Sequence, residues 1–164
     1  KIFVKTSSIS IFSRSLLSQS TVSNKISFSG IGIHTGKTVN LNILPSSPNS
    51  GIIFKRVDIK NNNIVIPNFE NVSEATLCTT ISNQYGVKVS TIEHLMAAFL
   101  GLGIDNAVVE LDSQEVPILD GSAKNFVKII KETGLKNSDV PIKLIKINNS
   151  VEIEEGKKLS LIHI

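Results

Sequence analysis

The 164-residue sequence has no tryptophan, and methionine, tyrosine and cysteine occur once each. Because aromatic residues are scarce, we expect a core of isoleucine, valine and leucine, and the β-branched members of that set favour strands. The single cysteine, Cys78, excludes an internal disulfide framework and a cysteine-based zinc cluster. No apolar run approaches the roughly 20 residues that a membrane-spanning helix needs, so we expect no membrane span. What remains is a globular α/β or α+β protein of one domain or slightly more.

Acidic residues are missing from the first 57 positions, which carry seven lysines and arginines. Such a basic region fits nucleic acid, an anionic substrate or a targeting segment. Residues 1–23 also contain eight serines, a composition typical of an organellar transit peptide; the alternative is a poorly ordered leader. We therefore interpret 1–23 as a leader or transit segment. The expected location is the cytoplasm, or a mitochondrion or plastid if the segment is a transit peptide.

Hydrophobic periodicity predicts several strands and two helices. Residues 37–44 alternate, with Val39, Leu41 and Ile43 on one face, which indicates a half-buried strand. Further strands are predicted at 52–57, 64–66, 76–81, 87–89 and 107–111, with 76–81 and 87–89 pairing as a hairpin. One helix is predicted from a Ser90 cap to Gly101 or Gly103, and another over about 122–133. The pattern indicates an α+β fold with two layers, in which two helices pack on one face of a sheet.

The C-terminal part of the sequence predicts a second β unit. Residues 136–139 are typical of a linker, which suggests a first domain over 24–137 and the start of a second over 138–158. The final residues, 159–164, lie in an apolar run and match the translation of a transposon end used in preparing sequencing libraries. We interpret them as an artefact and do not consider His163 as a metal ligand.

Glu93 and His94 are adjacent in the first turn of the first predicted helix. From that position both side chains can project towards a cleft at the helix end. An imidazole there can bind zinc, and a neighbouring carboxylate can take a proton from metal-bound water. The alternative needs no chemistry: Ser90 and Glu93 have the spacing of a capping box, and a lone histidine is usually a surface or satisfied residue. The residues alone leave both interpretations open.

Four motifs in order carry a family resemblance. They are Gly-Ile-Gly-Ile-His-Thr-Gly-Lys at 30–37, Val-Ser-Thr-Ile-Glu-His-Leu-Met-Ala-Ala at 89–98, Gly-Leu-Gly-Ile-Asp-Asn at 101–106 and Glu-Val-Pro-Ile-Leu-Asp-Gly-Ser at 115–122. Together they resemble the N-terminal domain of the UDP-3-O-acyl-N-acetylglucosamine deacetylases, zinc-dependent enzymes of lipid A biosynthesis. The resemblance covers roughly residues 24–158.

The resemblance implies a fold of two similar domains with the active site between them, the second truncated here. It implies hydrolysis of the N-acetyl group of UDP-3-O-acyl-N-acetylglucosamine by a protein that is a monomer when complete. His94 matches the first ligand of Zn²⁺ and Glu93 matches the general base. The other ligands, a histidine and an aspartate, and the histidine general acid belong to the second domain and are not in this sequence. The fragment alone is therefore expected to be inactive.

The resemblance also places Leu77 and Cys78 where the family approaches its substrate. For Cys78 the alternative is a small buried apolar side chain. We expect a structural or lining role for His34, a turn and helix cap at 120–122, and solvation at a strand end for Lys55 and Arg56 rather than contact with a diphosphate.

The alternative function is a small basic nucleic-acid-binding or structural domain without catalysis. A nucleic-acid-binding surface needs clustered basic residues with interleaved aromatic residues. The basic residues of the first 57 positions are thinly spread and few aromatic residues lie near them, so we expect no nucleic-acid partner.

Overall fold

The computed structural model describes the backbone of residues 9–147, 151–155 and 158–162 and the side chains of residues 17–143. The elements in chain order are β1 (Ile9–Val22), β2 (Ile26–Ile31), β3 (Thr38–Pro45), β4 (Ile52–Arg56), β5 (Ile64–Val65), a 3-10 turn (Phe69–Asn71), β6 (Val72–Glu74), β7 (Thr80–Ser82), β8 (Lys88–Val89), α1 (Glu93–Leu102), β9 (Ala107–Leu111), α2 (Lys124–Thr133), β10 (Leu135–Ile147), β11 (Val151–Glu155) and β12 (Lys158–Ile162).

The described residues divide into two compact units. One comprises Gln19–Val140 and contains both helices; the other comprises the described residues before 19 and after 140. In the second unit β11 and β12 form an antiparallel pair, with Val151 opposite Ile162. Strands β1 and β10 pair in a separate two-stranded sheet.

A five-stranded sheet in the order β2-β3-β9-β4-β5 forms the centre of the unit Gln19–Val140. Its neighbours are antiparallel except β4 and β9, which run parallel. Leu41 lies opposite Leu111, and Phe54 lies opposite both Val65 and Val109, so these side chains share one face. That face is buried, whereas the opposite face presents polar residues such as Asn40 and Ser27 to solvent. The alternation follows from the two-residue period of a strand.

Both helices cover the buried face. Leu95, Ala98 and Phe99 of α1, with Phe126 and Ile130 of α2, belong to the same core cluster as the sheet residues. The ring of Phe126 meets Phe28 of β2 edge-on at 5.8 Å between centroids. Helix α1 ends at Gly103, which has a left-handed φ of 69° that glycine adopts without steric cost.

The predicted α+β class, with two helices on one face of a sheet, is confirmed. The second helix begins at Lys124, two residues later than expected, and Gly134 ends it as predicted. The predicted hairpin exists in a shorter form, with Ile81 opposite Val89. Strand β6 was not predicted, because its three residues are all exposed and show no alternation of burial.

The compact unit begins at Gln19, within the segment predicted as a leader, and Val22 is fully buried in its core. The assignment of 1–23, 24–137, 138–158 and 159–164 as separate regions stays a prediction. Residues 163–164 lie outside the described residues. Neither helix of the described part is long and apolar enough to cross a membrane.

Candidate functional site

The start of α1 is fixed by strand-like contacts rather than by a side-chain cap. The residue before the helix, Ile92, has helical φ and ψ angles, and no side chain caps it. The predicted capping box is therefore wrong. Ser90 instead forms a parallel β-bridge with Glu115, and its N–H donates to the carbonyl of Gln114 at 2.8 Å. The bridge keeps Ser90 extended and outside the helix, so its hydroxyl cannot cap the first turn.

Glu93 connects α1 to the loop 75–79. Its Oε2 accepts a hydrogen bond from the N–H of Thr79 at 3.1 Å, and the N–H of Ile92 donates to the carbonyl of Thr79 at 3.4 Å. The two residues before Thr79 are the predicted substrate-lining residues. Leu77 is 83% exposed and Cys78 is half-buried, with its Sγ 3.6 Å from Oγ1 of Thr80. Through Thr79 the structure brings the loop of Leu77 and Cys78 to the first turn of α1.

His94 follows Glu93 on the same turn and is half-buried. Among residues 17–143 its imidazole has no hydrogen-bond partner, and neither ring nitrogen is fully buried. In the described part of the chain no three His, Cys, Asp or Glu side chains lie together as a metal site. A catalytic zinc needs three protein ligands and an open position. His94 is chemically able to be one such ligand, but the described residues do not place two further ligands beside it.

Glu115, a residue that the sequence analysis passed over, is fully buried beside this turn. Its Oε1 accepts hydrogen bonds from the His34 N–H at 3.0 Å and the Thr91 hydroxyl at 2.9 Å. Its Oε2 accepts from the N–H and hydroxyl of Thr35 at 2.9 and 2.8 Å. Burial raises the pKa of this carboxyl, but the four hydrogen bonds outweigh burial and hold the pKa below its ordinary value. Glu115 is therefore a buried carboxylate in which each oxygen accepts two hydrogen bonds.

A local signal for Glu115 exists in the sequence. The signal is weak, because Glu115 precedes the apolar residues Val116 and Pro117 but follows the polar residues 112–114. The partners of Glu115, however, are about 80 residues away in the chain at His34 and Thr35. No spacing rule connects residues so far apart, so the pattern alone could not identify them.

The other predicted residues lie apart from α1 or have structural partners. His34 is exposed, and its backbone N–H rather than its ring binds Glu115. Asp120 accepts hydrogen bonds from the N–H and hydroxyl of Ser122, whose hydroxyl in turn accepts from the Lys124 N–H at the start of α2. The expected turn at 120–122 is therefore present, but the expected helix cap is not, because α2 begins after Ala123 without a side-chain cap.

Lys55 and Arg56 are both paired. Lys55 forms an ion pair with Glu110 at 2.9 Å. Arg56 is only 9% exposed and donates two hydrogen bonds to Asp58 and one to the carbonyl of Lys88. The expected solvation at a strand end is therefore wrong for Arg56, because its guanidinium links β4 to β8.

Comparison with known proteins gives one consistent answer. The family model described as "LpxC: UDP-3-O-acyl N-acetylglycosamine deacetylase" matches residues 19–163. UDP-3-O-acyl-N-acetylglucosamine deacetylases of Shewanella baltica and Shewanella oneidensis are 43% identical over 143 residues, and that of Shewanella sp. (strain ANA-3) is 44% identical over 144 residues. Each match covers 87% of this chain and 47% of the relative, so the chain spans about half the length of these relatives. The match over most of its length shows that the chain belongs to the UDP-3-O-acyl N-acetylglycosamine deacetylase family.

Proposed function

We propose that this chain forms the N-terminal part of a zinc-dependent hydrolase that removes the N-acetyl group of UDP-3-O-acyl-N-acetylglucosamine in lipid A biosynthesis. The relatives that carry the name of this deacetylase support the substrate and the reaction. In this proposal His94 is one zinc ligand, Glu93 is the general base, and Leu77 and Cys78 contact the substrate. The complete protein works as a monomer in the cytoplasm, without a nucleic-acid partner.

One observation carries the proposal: Glu93 and His94 are adjacent and half-buried in the first turn of α1, and a hydrogen bond holds only one of the two carboxylate oxygens of Glu93. Its Oε2 is held by the Thr79 N–H. Its Oε1 has no hydrogen-bond partner among residues 17–143. This combination suits a general base, since one oxygen fixes the side chain and the other can accept the proton.

The chemistry divides between the metal and the chain. Zinc, when bound, supplies Lewis-acid activation of the amide carbonyl and of the attacking water. His94 would hold the metal through a ring nitrogen, and Glu93 Oε1 would accept a proton from the attacking water. The loop of Leu77 and Cys78, fixed to α1 through Thr79, presents an exposed apolar side chain beside these groups. We propose that the remaining ligands come from the second domain of the complete protein, so the present chain alone is inactive.

The test uses the protein encoded by the complete reading frame and measures acetate release from UDP-3-O-acyl-N-acetylglucosamine. Glu93→Gln keeps the side-chain shape but removes the base, so we expect kcat to fall by about 100-fold or more with zinc content unchanged. His94→Ala removes a ligand, so we expect zinc content and activity to fall together. Chelation of zinc abolishes activity, and added Zn²⁺ restores it.

Two matched variants serve as controls. Glu110→Gln alters another half-buried glutamate, and Asn125→Ala truncates a half-buried polar residue of α2. Both are expected to keep wild-type activity. Full turnover by Glu93→Gln, or a normal zinc content in His94→Ala, contradicts the proposed roles.

A further inference from the structure

The carboxylate of Glu115 joins three segments that are distant in the chain. It binds the backbone of the turn after β2 at His34 and Thr35, and it binds the hydroxyl of Thr91 just before α1. Glu115 itself is bridged to Ser90, whose carbonyl accepts from the Val116 N–H at 3.0 Å. A single buried side chain therefore fixes the turn, the bridge and the approach to α1 relative to one another.

Thr91 has a strained backbone at this junction. Its φ is +59°, in the left-handed region, and it is 2% exposed. A β-branched residue rarely adopts this conformation, which is strained for a side chain of this shape. The hydroxyl of Thr91 donates to Glu115 Oε1 at 2.9 Å, a charge-assisted hydrogen bond that offsets the strain. Glu93 lies two residues further on, so the left-handed residue sets the direction from which the chain enters the first turn.

The turn after β2 packs closely against the carboxylate at Gly32. A Cβ atom on Gly32 would overlap Glu115 Oε2 and Thr35 Oγ1. The turn is closed on itself by hydrogen bonds from Gly32 N–H to the Lys37 carbonyl at 3.0 Å and from Gly36 N–H to the Gly32 carbonyl at 2.8 Å. The turn and Thr91 therefore form a cradle around the Glu115 carboxylate, and a shift of the carboxylate breaks several hydrogen bonds.

From this geometry we infer that Glu115 is a positioning residue of the reaction: it holds Thr91 in the left-handed conformation and so aims Glu93 and His94. The inference rests on the roles proposed above for those two residues. Glu115 is buried and does not itself reach substrate. It acts by fixing the backbone of 90–92 to the turn at 32–35. Loss of this link lets the first turn of α1 move, and small displacements of a base or a metal ligand are costly to turnover.

The test compares Glu115→Gln and Thr91→Val in the protein encoded by the complete reading frame. Thr91→Val keeps the shape of the side chain and removes its hydroxyl. It therefore tests the link between Thr91 and Glu115 even if Glu115→Gln does not fold. We expect each variant to lower kcat by at least about tenfold. KM should stay within about twofold, because the interaction acts on the reacting geometry rather than on binding. Thr91→Ser retains the hydroxyl and restores kcat. Glu110→Gln and Thr133→Val are the matched controls.

Amide hydrogen exchange gives a readout that does not depend on turnover. In both variants, exchange should accelerate together at residues 32–35 and at residues 93–97, with zinc content unchanged. A purely structural role predicts a lower melting temperature with wild-type kcat in the folded protein, and that result overturns the inference. So does faster exchange at 32–35 alone. If instead Glu93→Gln and His94→Ala keep full activity, the proposed function fails, whereas the exchange experiment still reports whether Glu115 couples the two segments.

Discussion

Two charged residues of the described part, Glu115 and Arg56, are buried, and each has several partners. An unpaired buried charge is very costly, so such residues persist where hydrogen bonds replace the lost water. Glu115 has four donors and Arg56 has a carboxylate and a backbone carbonyl. Removing one partner is therefore more damaging than the net value of each contact suggests.

Because Glu115 is ionised in the folded protein, we expect the stability of the fold to fall in acid. Burial raises the pKa of Glu115, but its hydrogen bonds have the larger effect and lower that pKa in the folded protein. The hydrogen bond from Arg56 likewise lowers the pKa of Asp58. The unfolded chain therefore binds these protons more readily than the folded chain. The resulting stabilisation is complete well above the ordinary carboxyl pKa values of about 3.9–4.3 and is lost as the pH falls through the lower folded values.

Urea unfolding at pH values between about 3 and 7 measures this effect, because stability follows the difference in bound protons. We expect the free energy of unfolding of the wild type to decline below about pH 5. The decline should be shallower in Glu115→Gln and in Asp58→Asn, with Glu110→Gln as the control. Equal slopes in the wild type and both variants would show that neither carboxyl is responsible.

At the scale of one element, the turn between β2 and β3 contains two glycines with different requirements. Gly36 has a φ of +65° with open space around its Cα, so a side chain there meets strain but no clash. Gly32 has no such φ restriction, but its Cα faces the carboxylate of Glu115 and the hydroxyl of Thr35. One glycine is needed for its backbone conformation and the other for close approach.

Alanine substitutions separate these two requirements. Gly36→Ala is expected to cost about 1–2 kcal/mol of unfolding free energy from the left-handed conformation. Gly32→Ala overpacks a buried site, which alone costs about 1–3 kcal/mol, and it also disturbs the hydrogen bonds to Glu115. We therefore expect Gly32→Ala to be the more destabilising in urea unfolding. It should also lower kcat of the complete protein, whereas Gly36→Ala should not. The reverse order would contradict a cradle built around Glu115.

The start of α1 shows where reading the sequence succeeds and where it fails. Hydrophobic periodicity predicted this helix, and Ile92, Leu95 and Phe99, which recur at helical spacing, are buried. The same segment offered a capping box, and that prediction was wrong because Ser90 is engaged in a bridge with Glu115. The partners of Glu93 and Glu115 depend on tertiary contacts with Thr79 and the β2–β3 turn, which no local pattern encodes.

At the scale of the whole molecule, the fold depends on one sheet face and two helices sharing a core. Leu41 lies in the middle of that face on β3 and is fully buried. Thr38 begins the same strand and is exposed. The strict alternation of this strand made the buried face predictable from the sequence, since a half-buried strand has a period of two.

Leu41→Ala tests the dependence of the fold on this core. The change leaves a cavity among closely packed side chains, so we expect a loss of about 2–5 kcal/mol in the free energy of unfolding. Thr38→Ala, on the same strand, is expected to stay within about 0.5 kcal/mol of the wild type. Chemical denaturation followed by circular dichroism measures both. Similar losses in the two variants would mean that the sheet is not packed as described.

The position of β9 in the sheet has a consequence for synthesis on the ribosome. This strand lies between β3 and β4, so residues 38–45 and 52–56 cannot join the five-stranded sheet until residue 111 has been translated. Pairing over such sequence separations slows folding, because the loop must close before the contacts form. Until then the apolar sides of β3 and β4 are exposed in the nascent chain. Exposed apolar surface of this kind binds chaperones and promotes aggregation. The nascent chain is therefore most vulnerable between the synthesis of β4 and the arrival of β9.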